Sequence, residues 1–355
     1  MPQGAVTAPL PRASIFQGRA IISKQGNEKT GGAQLVRGIF KVIWAAALAS
    51  TGLGHAAHAH PMSGAEPYDS VPYRIEYQGW ITVNATVNGD GPNDFIVDSG
   101  ATITSVFSNL AARQSFSPAA RGPIRILGLT STQQLPAFQL GEITVGISRL
   151  EKHVGVILPD WAPPNTPPQG VLGLDLLTRY MVMVDADVNE IKFYPPETLV
   201  PKPKSSGWTR TQMTPHYIAD QSTPLYRINV NVRGIQIPCV VDLGASGTVF
   251  NEPALRAMTA GIRINGWGLR GSSQASHLND VFDNSQRAKA VKITSLKIGK
   301  ARWRNETFLV YDAEIFQDLG ASAKPFCLVG ADLLRGRSFI FDFANERFYV
   351  GPDSN

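Results

Sequence analysis

Two short segments of this 355-residue sequence lead an apolar run into an aspartate and continue with the pattern x-Gly-Ala. Phe95-Ile96-Val97 precedes Asp98, and Cys239-Val240-Val241 precedes Asp242. Two carboxyl groups held close together cannot both ionise easily, so such a pair shares one proton over a wide pH range. Its ionised member can take a proton from water while the protonated member polarises a carbonyl group. The two segments therefore contain the groups for hydrolysis without a metal or a covalent intermediate.

The residues after each aspartate are predicted to support the two loops. They are Ser99, Gly100, Ala101 and Thr102 in the first loop, and Leu243, Gly244, Ala245 and Ser246 in the second. Glycine lacks a Cβ atom and lets the chain turn tightly, so we expect each carboxylate to be held close to the backbone.

The two aspartate segments belong to a longer internal duplication. Residues 80–113 and 226–257 share an order of alternating strand residues, a polar turn, a buried strand and Asp-x-Gly-Ala. We expect a short helix after each copy. Two ordered elements that repeat with a preserved spacing are not explained by composition alone, which indicates a duplicated β-domain.

A second element also occurs twice, in residues 170–195 and 327–352. Each copy has two apolar residues, a glycine, one further residue and then Asp-Leu-Leu. The candidate apolar-Gly elements are Leu172 with Gly173, and Val329 with Gly330.

Length and composition favour two all-β lobes. The chain is long enough for two ordinary domains, and its 33 glycines and 25 prolines suit many short strands and turns. We predict a leader over 1–59, an N-terminal lobe over 60–196, a linker rich in Pro, Lys and Ser over 197–215, and a C-terminal lobe over 216–355.

The leader has the pattern of an export signal. Its apolar run 42–53 is short for a membrane span, and Ala57-His58-Ala59 suits signal peptidase cleavage before His60. We expect an exported protein, periplasmic or secreted, without stable membrane insertion after cleavage; an uncleaved membrane anchor is the alternative. Six basic residues and one acidic residue lie in 1–59, which leaves 27 of each sign elsewhere. This balance gives no reason to expect a nucleic-acid partner.

The segments FIVDSGAT (95–102) and VVDLGAS (240–246), each with its later apolar-Gly element, resemble the retropepsin-like aspartic peptidases. The resemblance covers roughly residues 72–352 and matches a bacterial form in which two such units are fused. It implies two pseudo-symmetric β-barrel lobes with the active-site cleft between them. It also implies an aspartic endopeptidase with Asp98 and Asp242 as the catalytic pair, a peptide or protein substrate, and no cofactor or metal. Since one chain makes both halves of the site, we expect a monomer.

The resemblance also implies a β-hairpin flap over the substrate and places the two cysteines on adjacent strands. The candidate flap residues are Gly128, Leu129 and Thr130 in the first unit, and Gly266, Trp267 and Gly268 in the second. Trp267 either contacts the substrate or packs on its own lobe. Cys239 and Cys327 either form a disulfide or stay as free buried thiols.

One position departs from the family pattern, which has Thr or Ser after each catalytic aspartate. Ser99 fits, whereas Leu243 has no polar side-chain atom, so the hydrogen-bond network between the loops is one-sided. Asp175 and Asp332 are repeated as well, and we interpret them as structural polar contacts. The alternative function is therefore a catalytically weak or inactive protein of this fold that binds peptides or a protein partner.

Overall fold

The computed structural model describes residues 61–62, 64–76, 79–160, 167–200, 207–219, 221–260, 269–279 and 285–353. Strands make up 51% of the structure and helices 10%, so the fold is all-β, and two six-stranded barrels close on themselves. This confirms the predicted fold class of two β-barrel lobes. The predicted leader over 1–59, with its predicted export signal, lies outside the described residues.

The first half of the molecule carries one barrel and half of a shared sheet. It contains, in chain order, β1 (Asp69–Glu76), β2 (Trp80–Val87), β3 (Asp90–Val97), β4 (Ser105–Phe107), α1 (Ser108–Ala111), β5 (Ser117–Pro118), β6 (Ile124–Leu127), β7 (Thr132–Leu135), β8 (Ala137–Val145), β9 (Ser148–Leu158), β10 (Gly170–Leu172), α2 (Leu174–Leu177), β11 (Met181–Asp185) and β12 (Glu190–Tyr194).

The second half repeats this plan. It contains, in chain order, β13 (Thr209–Gln212), β14 (Thr214–His216), β15 (Leu225–Val232), β16 (Ile235–Val241), β17 (Val249–Phe250), α3 (Glu252–Thr259), β18 (Leu269–Asn279), β19 (Ser285–Ile298), β20 (Ala301–Val310), α4 (Ile315–Asp318), β21 (Cys327–Val329), α5 (Ala331–Leu334), β22 (Phe339–Asp342) and β23 (Arg347–Val350).

The two barrels have the same strand order. The first runs β2-β3-β10-β4-β9-β8 and closes by the pairing of β2 with β8; the second runs β15-β16-β21-β17-β20-β19 and closes by β15 with β19. In each barrel the strand that leads into an aspartate, β3 or β16, pairs in parallel with the later apolar-Gly strand, β10 or β21. The internal duplication of the sequence is thus a duplication of barrel topology.

Alternation of apolar and polar residues explains the first strand of each barrel. In β2 the inward Val83, Ala85 and Val87 are fully or almost fully buried, and Asn84 between them is exposed. In β15 the residues of 228–232 alternate in the same way around an exposed asparagine. A strand turns successive side chains to opposite faces, so this period fills the barrel interior.

A third sheet joins the two halves. Its order is β13-β23-β22-β11-β12-β1, and β11 pairs with β22 so that Met183 lies opposite Ile340. The structure differs here from the predicted linker 197–215, because β13 lies inside that range and pairs with β23. Trp208 and Met213, on either side of β13, are buried, and this burial fixes the segment to the sheet.

Candidate active site

Each aspartate of the repeated motif stands directly after a barrel strand. Asp98 follows β3 and Asp242 follows β16, and their backbone N–H groups donate to the carbonyls of Leu172 (3.0 Å) and Val329 (2.9 Å). These two carbonyls belong to the predicted apolar-Gly elements. The later strand therefore extends the parallel pairing up to the aspartate itself and fixes where each loop begins.

The glycines of the apolar-Gly elements allow a close approach of backbone to backbone. A Cβ atom on Gly173 would lie 2.8 Å from the carbonyl carbon of Ile103, and one on Gly330 would lie 2.5 Å from that of Gly247. Real Cβ atoms are not found so close to backbone atoms. Glycine is thus required at both positions because the loop after each aspartate passes directly over them.

Asp175 and Asp332 hold these crossings in place. The Thr104 hydroxyl donates to Asp175 Oδ1 (2.6 Å) and accepts from the N–H of Gly173 (2.9 Å). In the second lobe the Thr248 hydroxyl donates to Asp332 Oδ1 (2.8 Å) and accepts from the N–H of the following apolar-Gly glycine. These aspartates therefore make structural contacts behind the loops that follow Asp98 and Asp242.

Gly100 and Gly244 bring the two aspartates together across the lobes. A Cβ atom on Gly100 would lie 2.5 Å from the Asp242 Cγ, and one on Gly244 would overlap the Asp98 carboxyl group in the same way. Neither glycine has a positive φ angle. The chain does turn at residues 99–100 and 243–244, as predicted. Glycine is required there because each loop packs against the opposite carboxyl group.

The two carboxyl groups accept different sets of hydrogen bonds. Asp98 Oδ1 accepts from the N–H groups of Gly100 (2.7 Å), Ala101 (3.2 Å) and Gly244 (3.2 Å). Asp242 Oδ1 accepts from the N–H of Ala245 (3.0 Å), and a backbone hydrogen bond from Gly244 also stabilises the Asp242 carboxylate. A carboxylate is stabilised by each N–H that it accepts, so this environment favours the ionised form of Asp98.

Burial raises the pKa of both carboxyl groups above the usual range for aspartate. For Asp98, the hydrogen bonds that it accepts from backbone N–H groups lower the pKa and so oppose the effect of burial. For Asp242, the pKa rises well above its usual range, first through burial and then through the negative charge of Asp98 beside it. The two side chains share a hydrogen bond, so the proton belongs to the pair and not to either aspartate alone.

The side chain after each aspartate makes the pair of loops asymmetric. The buried Ser99 hydroxyl donates to the Val241 carbonyl (2.8 Å) and accepts from the N–H of Leu243 (3.1 Å). Leu243 is 1% exposed and belongs to the hydrophobic core. Polar support therefore runs from the first lobe to the second through Ser99, and Leu243 provides apolar packing in its place.

Trp80 also links the lobes, and the sequence analysis did not single it out. Its indole N–H donates to the Gly244 carbonyl at 2.8 Å, across 164 positions of sequence. The ring is 2% exposed and packs among Phe107, Leu158 and Val171. A tryptophan at the start of a strand, 18 positions before the aspartate, is a weak signal, because a buried core tryptophan would have the same pattern.

A cleft with a cavity volume of about 250 Å³ lies above the two aspartates, and both lobes line it. Ala101, Thr102, Ala245 and Ser246 from the catalytic loops line this cleft. The carbonyls of Ala101 and Ala245 also accept from the first residues of α2 and α5, each at 2.8 Å.

The predicted first flap is a β-hairpin made of β6 and β7. Gly128, Leu129 and Thr130 form its tip, and Gly128 and Leu129 line the cleft. Leu129 packs against a second-lobe cluster around Val249 and Ala288. On β6, Arg125 forms an ion pair with Asp318 of α4 in the second lobe. The counterpart residues Gly266, Trp267 and Gly268 lie outside the described residues.

A disulfide joins Cys239 of β16 to Cys327 of β21, with 4.4 Å between the Cα atoms. The two residues are direct partners in the parallel pairing, and both are completely buried. Asp242 lies three residues after Cys239, so the covalent bond is directly below the loop that carries Asp242.

Two further searches cover the described part of the chain alone. There, no group of three or more His, Cys, Asp or Glu side chains is arranged to hold a metal ion. None of the described helices has the length and apolar character needed to cross a membrane.

In a comparison with known protein families, residues 83–176 match a family model described as aspartyl protease. The first lobe is similar to aspartyl proteases. The matched range contains Asp98, its supporting loop, the first flap and the apolar-Gly element of Gly173. No curated protein matches the chain.

Proposed function

We propose that this protein is an aspartic endopeptidase that hydrolyses peptide bonds with water activated between Asp98 and Asp242. The observation that carries the proposal is the hydrogen-bonded pair of carboxyl groups at a cleft to which both lobes contribute. The family match of residues 83–176 supports protease chemistry in the first lobe. We further propose two fused retropepsin-like units, since the strand order repeats, and a monomer, since one chain supplies both aspartates.

The unequal surroundings of the two carboxyl groups suggest their roles. Asp98, which accepts three backbone N–H groups, acts as the base and takes a proton from water. Asp242 holds the shared proton and donates it to the oxygen of the peptide carbonyl. Water adds to the carbonyl carbon and gives a tetrahedral gem-diol intermediate. As the C–N bond breaks, Asp98 passes the proton it took from water to the leaving nitrogen, and Asp242 takes back a proton from a hydroxyl of the intermediate.

The test compares Asp98→Asn and Asp242→Asn with the wild type on denatured casein, from acid to neutral pH. Each substitution should lower kcat/KM by about 10³-fold or more, because an amide cannot exchange the proton that the reaction needs. Glu306→Gln is the matched control, since Glu306 is an exposed carboxylate on β20. Thermal unfolding checks that each variant folds. Full activity in either aspartate variant would contradict the proposal.

A second candidate function is peptide binding without cleavage. It is favoured by Leu243, which occupies the position of a supporting hydroxyl and belongs instead to the core. Under this alternative, the wild type would bind a peptide mimic of the pepstatin type and leave casein intact. Cleavage that the same mimic inhibits would exclude this candidate.

We also propose that the protein is exported to the periplasm or secreted. The Cys239–Cys327 disulfide supports this location, because disulfides persist in oxidising compartments. N-terminal sequencing of the mature protein should give His60 as the first residue. A mature protein that retains residues 42–53 would instead be a membrane-anchored form.

A further inference from the structure

Side chains of the first lobe hold the second aspartate loop. Ser99 contacts the backbone on either side of Asp242, and Trp80 contacts the carbonyl of Gly244. The corresponding residues of the second lobe are identified from strand register. Ile96 and Val240, each two residues before its aspartate, mark equivalent positions.

Thr82 pairs with Ile96, and Arg227 pairs with Val240. Two residues earlier on these strands stand Trp80 and Leu225, which are therefore equivalent. Leu225 lines the cleft and is buried, but it has no hydrogen-bond donor in its side chain. The two second-lobe positions equivalent to Ser99 and Trp80, 243 and 225, are thus both leucines.

The Gly244 peptide connects Trp80 to the reacting carboxyl groups. Its carbonyl accepts the indole N–H at 2.8 Å, and its own N–H donates to Asp98 Oδ1 at 3.2 Å. The Trp80 ring borders the cleft, but it is 2% exposed and packs in the cluster with Phe107, Leu158 and Val171, so its N–H has a fixed direction. When the Trp80 indole holds the Gly244 carbonyl, the Gly244 peptide can rotate less. The Gly244 N–H, one of three backbone donors to Asp98, therefore keeps its direction.

We infer that Trp80 is a positioning residue for the catalytic pair. By holding the Gly244 carbonyl, it directs the Gly244 N–H toward Asp98 and keeps Asp98 as the ionised member. This inference rests on the proposed function. It adds Trp80 to Ser99 as a support of the second loop, whereas a hydroxyl at position 243 would, by the pseudo-symmetry of the lobes, support the first loop.

The test uses Trp80→Phe, which keeps an aromatic ring in the cluster and removes the N–H donor. The kcat should fall about tenfold, the effect of losing one buried hydrogen bond, while KM changes less than about twofold. The acid limb of the kcat/KM profile should move to higher pH, because Asp98 loses a stabilising donor. Trp303→Phe is the matched control, since Trp303 packs in the second-lobe core below Arg337. It should leave this limb in place.

A rescue variant and a measurement independent of activity complete the test. Adding Leu243→Thr to Trp80→Phe should restore part of the lost kcat, because it supplies a hydroxyl between the loops. Hydrogen exchange at the amides of residues 240–248 should accelerate in Trp80→Phe and not in Trp303→Phe.

The outcomes separate this inference from the proposed function. Equal pH profiles and equal exchange in Trp80→Phe and Trp303→Phe would overturn the positioning role. A wild type without any cleavage would overturn the proposed function. Even then, unchanged exchange at 240–248 in Trp80→Phe would refute the role of Trp80, and accelerated exchange there would support its hold on the loop.

Discussion

The two lobes share one strand order but support their catalytic loops in different ways. The first lobe sends Ser99 and Trp80 across to the second loop, where three backbone groups are hydrogen-bonded to them. The second lobe has Leu243 and Leu225 at the equivalent positions, and both are buried apolar residues. The duplicated fold therefore retains its symmetry in the backbone, whereas at these two equivalent positions only the first lobe has polar side chains.

The base of each loop shows a second difference. In the first lobe Phe95 of β3 lies opposite Gly170 of β10, and a Cβ atom on Gly170 would overlap the phenyl ring. In the second lobe the same register position holds the Cys239–Cys327 disulfide. Phe95 and Gly170 are matched in size, whereas Cys239 and Cys327 are joined by a covalent bond. The loop that carries Asp242 is thus held by Ser99 and Trp80 of the first lobe, and the strand that leads into it is held by the disulfide of its own lobe.

Removal of the disulfide is expected to give the largest change in stability. The cysteines are 88 positions apart, and closing a loop of that length restricts the unfolded chain by about 4.5 kcal/mol. Cys239→Ala with Cys327→Ala should lower the free energy of unfolding by a similar amount, measured by urea denaturation. The wild type should become less stable in reductant, whereas the double variant should not respond. Equal urea midpoints would show that the bond contributes nothing.

Loss of the Ser99 hydroxyl is expected to cost about 2 kcal/mol. Ser99→Ala leaves the Val241 carbonyl and the Leu243 N–H without this partner at a buried site, and an unsatisfied buried group costs about 1–3 kcal/mol. The kcat/KM should fall as well, because the second loop loses its support. Stability within a few tenths of a kcal/mol of the wild type would contradict the asymmetry described above.

Leu243→Thr tests the same comparison from the other lobe. The change supplies a hydroxyl at the pseudo-symmetric position and removes apolar volume from a buried site, at a cost of about 1–3 kcal/mol. We expect a higher kcat/KM together with lower stability, measured on one preparation by casein cleavage and urea denaturation. A fall in both quantities would mean that leucine itself is required for the site.

The dyad should also make stability depend on pH. Burial raises the pKa of both carboxyl groups, so the folded protein binds protons more tightly than the unfolded chain. Stability should then fall as pH rises from about 3.9, the ordinary value for aspartate, through the raised values. Asp242→Asn removes this loss, so its melting temperature should exceed that of the wild type near neutral pH.

The size of this pH effect should differ between the two lobes. Asp98→Asn should give a smaller gain in melting temperature than Asp242→Asn, because the pKa of Asp242 is raised further. Both gains should vanish below the ordinary carboxyl range, where the wild-type aspartates are protonated in both states. Equal gains at neutral pH would mean that the proton is shared evenly.

The smallest effect is expected at the ion pair between the flap and the second lobe. Arg125 and Asp318 are 27% and 20% exposed, and a pair that water partly reaches contributes about 1 kcal/mol or less. Arg125→Gln should therefore change stability little and alter KM, because the β6–β7 hairpin loses its contact across the cleft. Arg149→Gln is the control, since Arg149 pairs with acids of its own lobe. Equal KM values for the two variants would exclude a role of the pair in substrate access.

The sequence by itself determined the features that depend on local patterns repeated along the chain. Alternating apolar residues set the barrel strands, and the repeated motifs located Asp98, Asp242 and the glycines that follow the later strands. Strand periodicity and the need for glycine at a close approach act within a few residues, so they are visible before any fold is known.

The tertiary structure alone decided which distant residues meet. It brought the indole of Trp80 to Gly244, 164 positions away, and it paired β13 with β23, so that part of the predicted linker joined the shared sheet. It also chose the disulfide over two free thiols by placing Cys239 opposite Cys327. These contacts depend on the register and packing of both lobes together, and no local pattern encodes them.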